Sequence, residues 1–302
     1  MTTFARNLRR LRLSKNLTQE QAAEKLQVSP QSVSRWECGS TFPDVMLLPA
    51  IARLYAVTID DLYCEDAIGY DNYAQRLLAV YEDTRDPQDF AAANTEYYRL
   101  LNSGNYTMND LRCYGILYQY HAAYCRKRAL ELYDEAIAMG EKNDPEMYLR
   151  VQQQKIGFLS SLGEGAECVR EYRSAAEAPD ASLSDYILMM CACCNAREPD
   201  EGLHCCQRAA ARFPDSAYVH YYSGEFHMMK KQHEEAIACW DKTLALDPNF
   251  MDARHSLAEC FEELGRPADA LVCWREMFDW LTDHGMPVET GYIRRRIDRL
   301  KK

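Results

Sequence analysis

A step of 34 residues runs through the second half of the chain. Pro214 and Pro248 stand 34 positions apart, as do Ala236 and Ala270, Trp240 and Trp274, and Gly224 and Ala258; Cys205, Cys239 and Cys273 keep the same step twice. A fixed period in this range means stacked supersecondary units, each too small to bury its own apolar face and dependent on the next. Within a unit, small residues (Gly224, Ala236, Ala258, Ala270) let two helices cross closely, and large ones (Trp240, Phe261, Trp274) fill the space beside them. The clearest unit spans 217–250, followed by 251–284 and preceded by 183–216. Upstream the period decays. Residues 149–182 keep Leu159, Gly163, Tyr172 and Ala175, and 110–143 keep Leu117, Tyr120, Ala129, Tyr133 and Ala136, so both read as further helix pairs. Residues 73–101 read as a pair broken at Asp86-Pro87, and 287–302 as a capping helix with Ile293, Ile297 and Leu300 inward and Arg294, Arg295, Arg296 and Arg299 around it.

Composition supports an all-α chain. Gly (13) and Pro (11) are scarce in 302 residues, about 8% against a usual ~12%. The hydrophobic fraction of 47% is enough for a sizeable core. No apolar run reaches the ~18–20 residues of a membrane helix, and the polar N-terminus lacks a signal core. The expectation is a soluble, cytoplasmic protein with no membrane partner. The thirteen cysteines are then reduced thiols. Cys191, Cys193, Cys194, His204, Cys205 and Cys206 invite a zinc or redox reading, but their spacing fits no standard four-ligand pattern, and the reading preferred is packing.

The net charge of −11 hides an asymmetry. Residues 1–65 carry eight Lys/Arg against seven Asp/Glu, and Arg6, Arg9, Arg10, Arg12 and Lys15 fall within ten residues. The remainder carries −12. A phosphate-binding surface needs local positive potential, which the head has and the body lacks.

The head reads as five short helices. The first spans Thr3–Ser14, with Phe4, Leu8 and Leu11 on one face. Thr18 caps the second (Gln19–Leu26), and Gln21 completes a capping box. Ser29 caps the third, with Pro30 at its first position, and Gly39 stops it just past Glu37. Asp44 caps a fourth through Tyr55, and Thr58 a fifth, Ile59 to Cys64. Two short helices joined by a tight turn, the second of them polar, follow the helix-turn-helix plan. On the third helix Val33 and Trp36 face inward, which leaves Gln31, Ser32, Ser34 and Arg35 outside. Gln can pair bidentately with adenine and Arg with guanine in a major groove; Pro30 offers a donor-free tip for a thymine methyl. Arg6, Arg9 and Arg10 read as a solvated face or as phosphate contacts.

These words, from Leu17-Thr18-Gln19-Glu20-Gln21-Ala22-Ala23 through Val28-Ser29-Pro30-Gln31-Ser32-Val33-Ser34-Arg35-Trp36-Glu37 to Leu54-Tyr55-Ala56-Val57-Thr58-Ile59-Asp60-Asp61-Leu62, resemble the XRE or lambdoid-repressor type of helix-turn-helix regulator. The resemblance implies a phosphate contact at Gln19, base contacts at Gln31, Ser32 and Arg35, a structural Arg12–Glu37 pair, and a homodimer on a roughly palindromic double-stranded DNA site. Cys38 departs from the family, which usually has Asn there. The 34-residue units resemble the tetratricopeptide repeat, which implies a concave groove lined by the first helix of each pair. Carried over by spacing, the lining includes Gln153, Asn195, Tyr218, Tyr221, Glu225, His255, Glu259 and Glu262; a deep pocket on which Asn195 and Tyr221 converge would favour a ligand sensor, and a flat groove, or one filled by a partner subunit, a docking scaffold. The tandem resembles bacterial regulators whose repeats bind a short signalling peptide.

The domain plan is thus 1–65 for the helix-turn-helix head, 66–72 for a linker, and 73–302 for a tetratricopeptide-like superhelix of about six helix pairs with its capping helix. The function expected is a transcriptional regulator whose repeats sense a peptide or other ligand; the alternative is a regulator whose repeats only dock a protein or form a dimer. No phosphate loop, nucleophile elbow or nucleophile–base pair occurs, and His233-Glu234-Glu235 lacks the second His of a zinc-protease motif. No catalysis, metal or cofactor is expected.

Overall fold

The computed structural model describes residues 2–64, 70–142, 144–285 and 287–301. They are helical, with no strand among them. The chain divides into two compact units, Met1–Ala129 and Leu130–Lys302.

The first unit begins with α1 (Thr3–Ser14), α2 (Gln19–Leu26) and α3 (Pro30–Cys38). Thr18 and Gln21 close the expected capping box on α2, and the Ser29 hydroxyl accepts the Ser32 N–H at the start of α3. The departure at Cys38 is absorbed: Cys38 stays helical, and Gly39 takes the left-handed conformation (φ 75°) that ends the helix. The fourth and fifth helices differ from expectation. Asp44 caps a 3-10 turn, Val45–Leu47, and α4 starts only at Leu48 and runs to Tyr55. Pro49 explains the delay, since it has no N–H to give and restricts the residue before it. The expected helix 59–64 is a 3-10 turn, Asp60–Tyr63, because Cys64 is already extended. The core of this head gathers Phe4, Leu8, Leu11, Ala22, Val33, Trp36, Ile51, Tyr55 and Leu62.

Of the expected linker, residues 66–69, with Gly69, lie outside the described residues. Tyr70 and Asp71 are strapped to the head: the Lys15 ammonium donates to both carbonyls, and the Tyr70 N–H donates to Ala56 O at 3.3 Å. α5 (Tyr73–Thr84) and α6 (Pro87–Asn102) form the pair expected around Asp86-Pro87. They attach to the head through charge. Arg76 grips Asp61 with two bonds, 2.7 and 3.0 Å, and Arg53 reaches Glu96 at 3.2 Å. The compact unit therefore continues past the expected boundary at 65.

The expected helix pair in 110–143 is instead one helix, α7 (Met108–Ala138), 31 residues long. Its sequence holds a single glycine (Gly115), no proline, and an unbroken run of strong helix formers from Arg126 to Leu132, so nothing stops it.

The second unit contains α8 (Pro145–Ser161) with α9 (Gly165–Glu177), α10 (Leu183–Ala196) with α11 (Pro199–Arg212), α12 (Ala217–Met229) with α13 (His233–Leu246), α14 (Met251–Glu263) with α15 (Pro267–Asp283), and a last helix α16 (Pro287–Leu300). The small-residue logic is literal. A Cβ on Gly224 would stand 2.4 Å from Trp240 Nε1, and one on Gly202 would stand 2.2 Å from Phe226 Cζ. Trp240 and Phe226 are fully buried in these slots, and Trp274 is fully buried in the next pair. Ile293 and Ile297 seal the last pair as expected. The turn inside each pair places a residue at positive φ with the same 34-residue step: Gly163, Arg197, Lys231 and Gly265.

Candidate DNA interface and ligand groove

The polar face of α3 is held from behind by a buried ion pair. Arg12 Nε donates to Glu37 Oε1 at 2.6 Å and Nη2 to Oε2 at 2.9 Å. Arg12 Nη1 donates to Leu17 O at 2.7 Å, at the turn into α2. Both side chains are under one-tenth exposed. Gln19 joins them: its Nε2 donates to Glu37 Oε2 at 2.9 Å. The amide expected at a phosphate is therefore tied to the α1–α3 lock, with one N–H left over. Arg12, Glu37 and Gln19 thus fix α1, α2 and α3 against one another.

Outside this lock, Pro30, Gln31 and Arg35 are exposed, and Ser32 and Ser34 are half-buried. The Ser32 hydroxyl lies 2.9 Å from the Ser29 hydroxyl, so part of its hydrogen-bonding capacity goes to the cap. On α1, Arg6, Arg9 and Arg10 are exposed; Arg6 donates to Thr3 Oγ1 at 3.3 Å and Arg10 to Asn7 Oδ1 at 3.2 Å. Chemically this is a rigid, donor-rich helix face that could lie along base edges.

In the repeats, the expected groove residues fall on α8, α10, α12 and α14, but they are not all free. Gln153 Nε2 donates to the Tyr222 hydroxyl at 3.0 Å, which joins α8 to α12. The Asn195 Nδ2 is engaged on its own helix, donating to Cys191 O at 2.9 Å. Tyr218 and Tyr221 both pack on Phe250, with ring centroids 5.0 Å away in each case. Glu225 Oε1 accepts the Ser256 hydroxyl from α14 at 2.6 Å. Burial, with Asp252 and Glu259 nearby, pushes the Glu225 carboxyl above the usual carboxylate range. The Trp240 indole N–H lies close to this carboxylate without closing a hydrogen bond of normal geometry.

A cavity of about 360 Å³ opens here, lined by Arg197, Pro199, Glu225, Met228, Met229 and Lys231. Of the expected groove residues only Glu225 lines it; Asn195 and Tyr221 do not converge in it. Sequence reasoning missed Arg197 and Lys231, although the 34-residue step could have found them beside Gly163 and Gly265. On α14, His255, Glu259 and Glu262 meet the last helix. Arg296 pairs with Glu259 at 3.1 Å and Glu262 at 3.3 Å, and stacks over Trp274. Arg296 is thus a clamp for α16.

The cysteine cluster behaves as core. Cys191, Cys193, Cys205 and Cys206 are buried. Burial pushes the Cys191 thiol up to about 11, and those of Cys193, Cys205 and Cys206 up to about 12. Among the described residues no group of His, Cys, Asp and Glu could hold a metal ion, and no helix is long and apolar enough to cross a membrane.

Comparison with known proteins finds the two architectures separately. Residues 3–62 match a family model described as a helix-turn-helix domain, and residues 217–250 match the tetratricopeptide repeat. The HTH-type transcriptional activator BcrR of Enterococcus faecalis is 48% identical over 59 residues, which is 20% of this chain and 29% of that protein. This chain therefore spans less than a third of that relative's length. Among solved structures, Bacillus thuringiensis PlcR in complex with the peptide PapR7 and DNA aligns over 97% of this chain and 99% of its own, at 14% identity and a TM-score of 0.42. ComR from S. thermophilus, in complex with DNA and its signalling peptide ComS, aligns over 88% and 99%, at 14% identity and a TM-score of 0.28.

Proposed function

We propose that this chain is a sequence-specific DNA-binding transcriptional regulator whose repeats sense a short peptide. The observation that carries the first half is the α3 face: Gln31 and Arg35 exposed on a helix locked from behind by Arg12, Glu37 and Gln19, within a 60-residue match to the helix-turn-helix domain. In this reading α3 enters the major groove. Gln31 and Arg35 contact base edges, Pro30 touches a thymine methyl, and Ser32, Ser34 and the second Gln19 N–H contact phosphates or bases near the helix tip. The regulator acts in the cytoplasm as a homodimer, one head per half-site. BcrR, a transcriptional activator by name, is similar to this chain over 59 residues.

The peptide half rests on the cavity at Glu225, where acid, cation and apolar wall meet in one place. A ligand there changes DNA binding only if it favours one arrangement of the protein over another. The alternative, repeats that only dock a partner, draws on Gln153–Tyr222 and Asn195–Cys191, which satisfy groove polar groups internally.

The test is selection of binding sites from random duplex DNA with the full chain, followed by Arg35→Ala. A bidentate arginine–guanine contact is worth about 1–3 kcal/mol of discrimination, so the variant should lose preference at one base pair per half-site and keep the rest. A uniform loss across all sequences would make Arg35 a phosphate contact; no enriched sequence at all would refute the regulator.

A further inference from the structure

The turn inside each helix pair needs a left-handed residue at one position, and the chain fills it with Gly163, Arg197, Lys231 and Gly265. Glycine is the unstrained choice there, and a residue with a Cβ costs roughly 1–2 kcal/mol in that conformation. The two cations are therefore kept at some expense, and both line the one cavity described above. Arg197 is exposed and makes no ion pair among the described residues. Lys231 holds Glu263 at 2.7 Å in a largely exposed pair, which is weak and readily exchanged for another carboxylate. The inner wall supplies the complement: Glu225 Oε1 is bound by Ser256, while Oε2 accepts no hydrogen bond among the described residues, the buried Trp240 indole N–H lying close by without closing one. Met228, Met229 and Pro199 provide an apolar side.

Two cations, one hydrogen-bond acceptor and an apolar wall match three groups that occur together at the end of a peptide: the terminal carboxylate, the last backbone N–H and the last side chain. We infer that this cavity receives the carboxylate end of a short peptide whose last residue is apolar, with the carboxylate between Arg197 and Lys231, the N–H on Glu225 and the side chain against Met228 and Met229. The inference deepens the peptide-sensing reading and rests on it.

The experiment is calorimetric titration of the full chain with N-acetylated tripeptides ending in Leu, Phe or Met, each as the free acid and as the amide, alongside 4-methylpentanoate. The expected result is that the acids bind at least tenfold tighter than the amides and than 4-methylpentanoate. Arg197→Gly and Lys231→Gly should each weaken acid binding at least tenfold. Glycine suits the native φ at both positions, so these variants keep the fold, which a thermal melt verifies. Equal binding of acid and amide, or unchanged affinity in Arg197→Gly, overturns the carboxylate inference and leaves peptide sensing standing. Equal binding of 4-methylpentanoate removes the Glu225 contact and overturns the peptide end as the ligand. No binding by any acid or amide overturns both, while site selection on DNA reports separately on the head.

Discussion

Removing Arg12 tests whether the α1–α3 lock is what holds the reading helix. In Arg12→Met the Glu37 carboxylate, 3% exposed, loses both guanidinium bonds and keeps only the Gln19 amide. Breaking a buried pair by deleting one partner costs about 3–5 kcal/mol, because the remaining charge is stranded. A head of this size, at about 0.05–0.15 kcal/mol per residue, has only about 3–9 kcal/mol to lose. Local opening of α1 and α3 should therefore rise by about two to four orders of magnitude, at 1.4 kcal/mol per tenfold. Hydrogen exchange followed by mass spectrometry on the full chain reads this directly: amides in Thr3–Ser14 and Pro30–Cys38 should exchange faster by that factor, while those of α12 to α15 stay unchanged as an internal control. The double variant Arg12→Met/Glu37→Leu removes both charges and should recover most of the protection, since apolar replacement of a buried pair is often neutral. Acceleration of less than tenfold in the single variant, or no recovery in the double, would show that apolar packing around Trp36 and Leu11 holds α3 without the pair.

Gly224→Ala puts a methyl 2.4 Å from the fully buried Trp240 ring; overpacking of this kind costs about 1–3 kcal/mol, more than alanine's helix propensity returns, and should lower the unfolding midpoint of the repeats in urea. Gly165→Ala, whose nearest neighbours are at 3.2 Å, should cost less, and the reverse order would refute the steric reading. Acid should release the head from α5. Burial pushes Asp61 up, but Arg76 and the Thr58 N–H outweigh it and hold the carboxyl below its usual range. A depressed carboxylate stabilises above its unfolded pKa, near 4, and that stability is lost as pH falls through the folded value. Exchange of the α5 amides should accordingly rise below about pH 4, and Arg76→Met should abolish that pH dependence. Glu225 has the opposite sign: its raised folded pKa makes the native state bind more protons, so its contribution falls as pH rises through that range. Glu225→Gln should raise the melting temperature at pH 7 and leave it unchanged at pH 4; a lower value at pH 7 would show that the ionised carboxylate is stabilising.

What the sequence made legible is what short-range chemistry decides. Thr18 with Gln21, Ser29 with Pro30, and Gly39 each set a helix end through bonds or dihedrals within a few residues, and each stands where expected. The 34-residue step located the last four helix pairs because small residues (Gly224 and Ala258, Ala236 and Ala270) and the large ones beside them (Trp240 and Trp274) recur to let helices touch. Errors arose where a local signal competed with a neighbour. Asp44 does cap, but Pro49 five residues on decides where the α-helix starts. In α7 the repeat pattern persisted at Ala129 and Tyr133, yet no residue there can break a helix, and continuity won.

The groove shows the harder limit. Spacing says which face of a helix a residue occupies; it does not say whether its polar atoms are already used. Asn195 lies on an accessible face with its N–H donating to a carbonyl one turn back. Gln153 crosses to Tyr222, a bond between residues 69 positions apart that no local rule contains. Arg197 and Lys231 went unnoticed for a different reason. The left-handed position repeats in geometry and not in residue type, as Gly, Arg, Lys, Gly. A search for identical residues at period 34 passes over it, because what recurs is a φ angle, and the side chains that deviate from glycine are the ones that reach the cavity. In a repeat protein, then, recurring spacing marks the scaffold, and a costly departure at a scaffold position is where a ligand contact should be sought first.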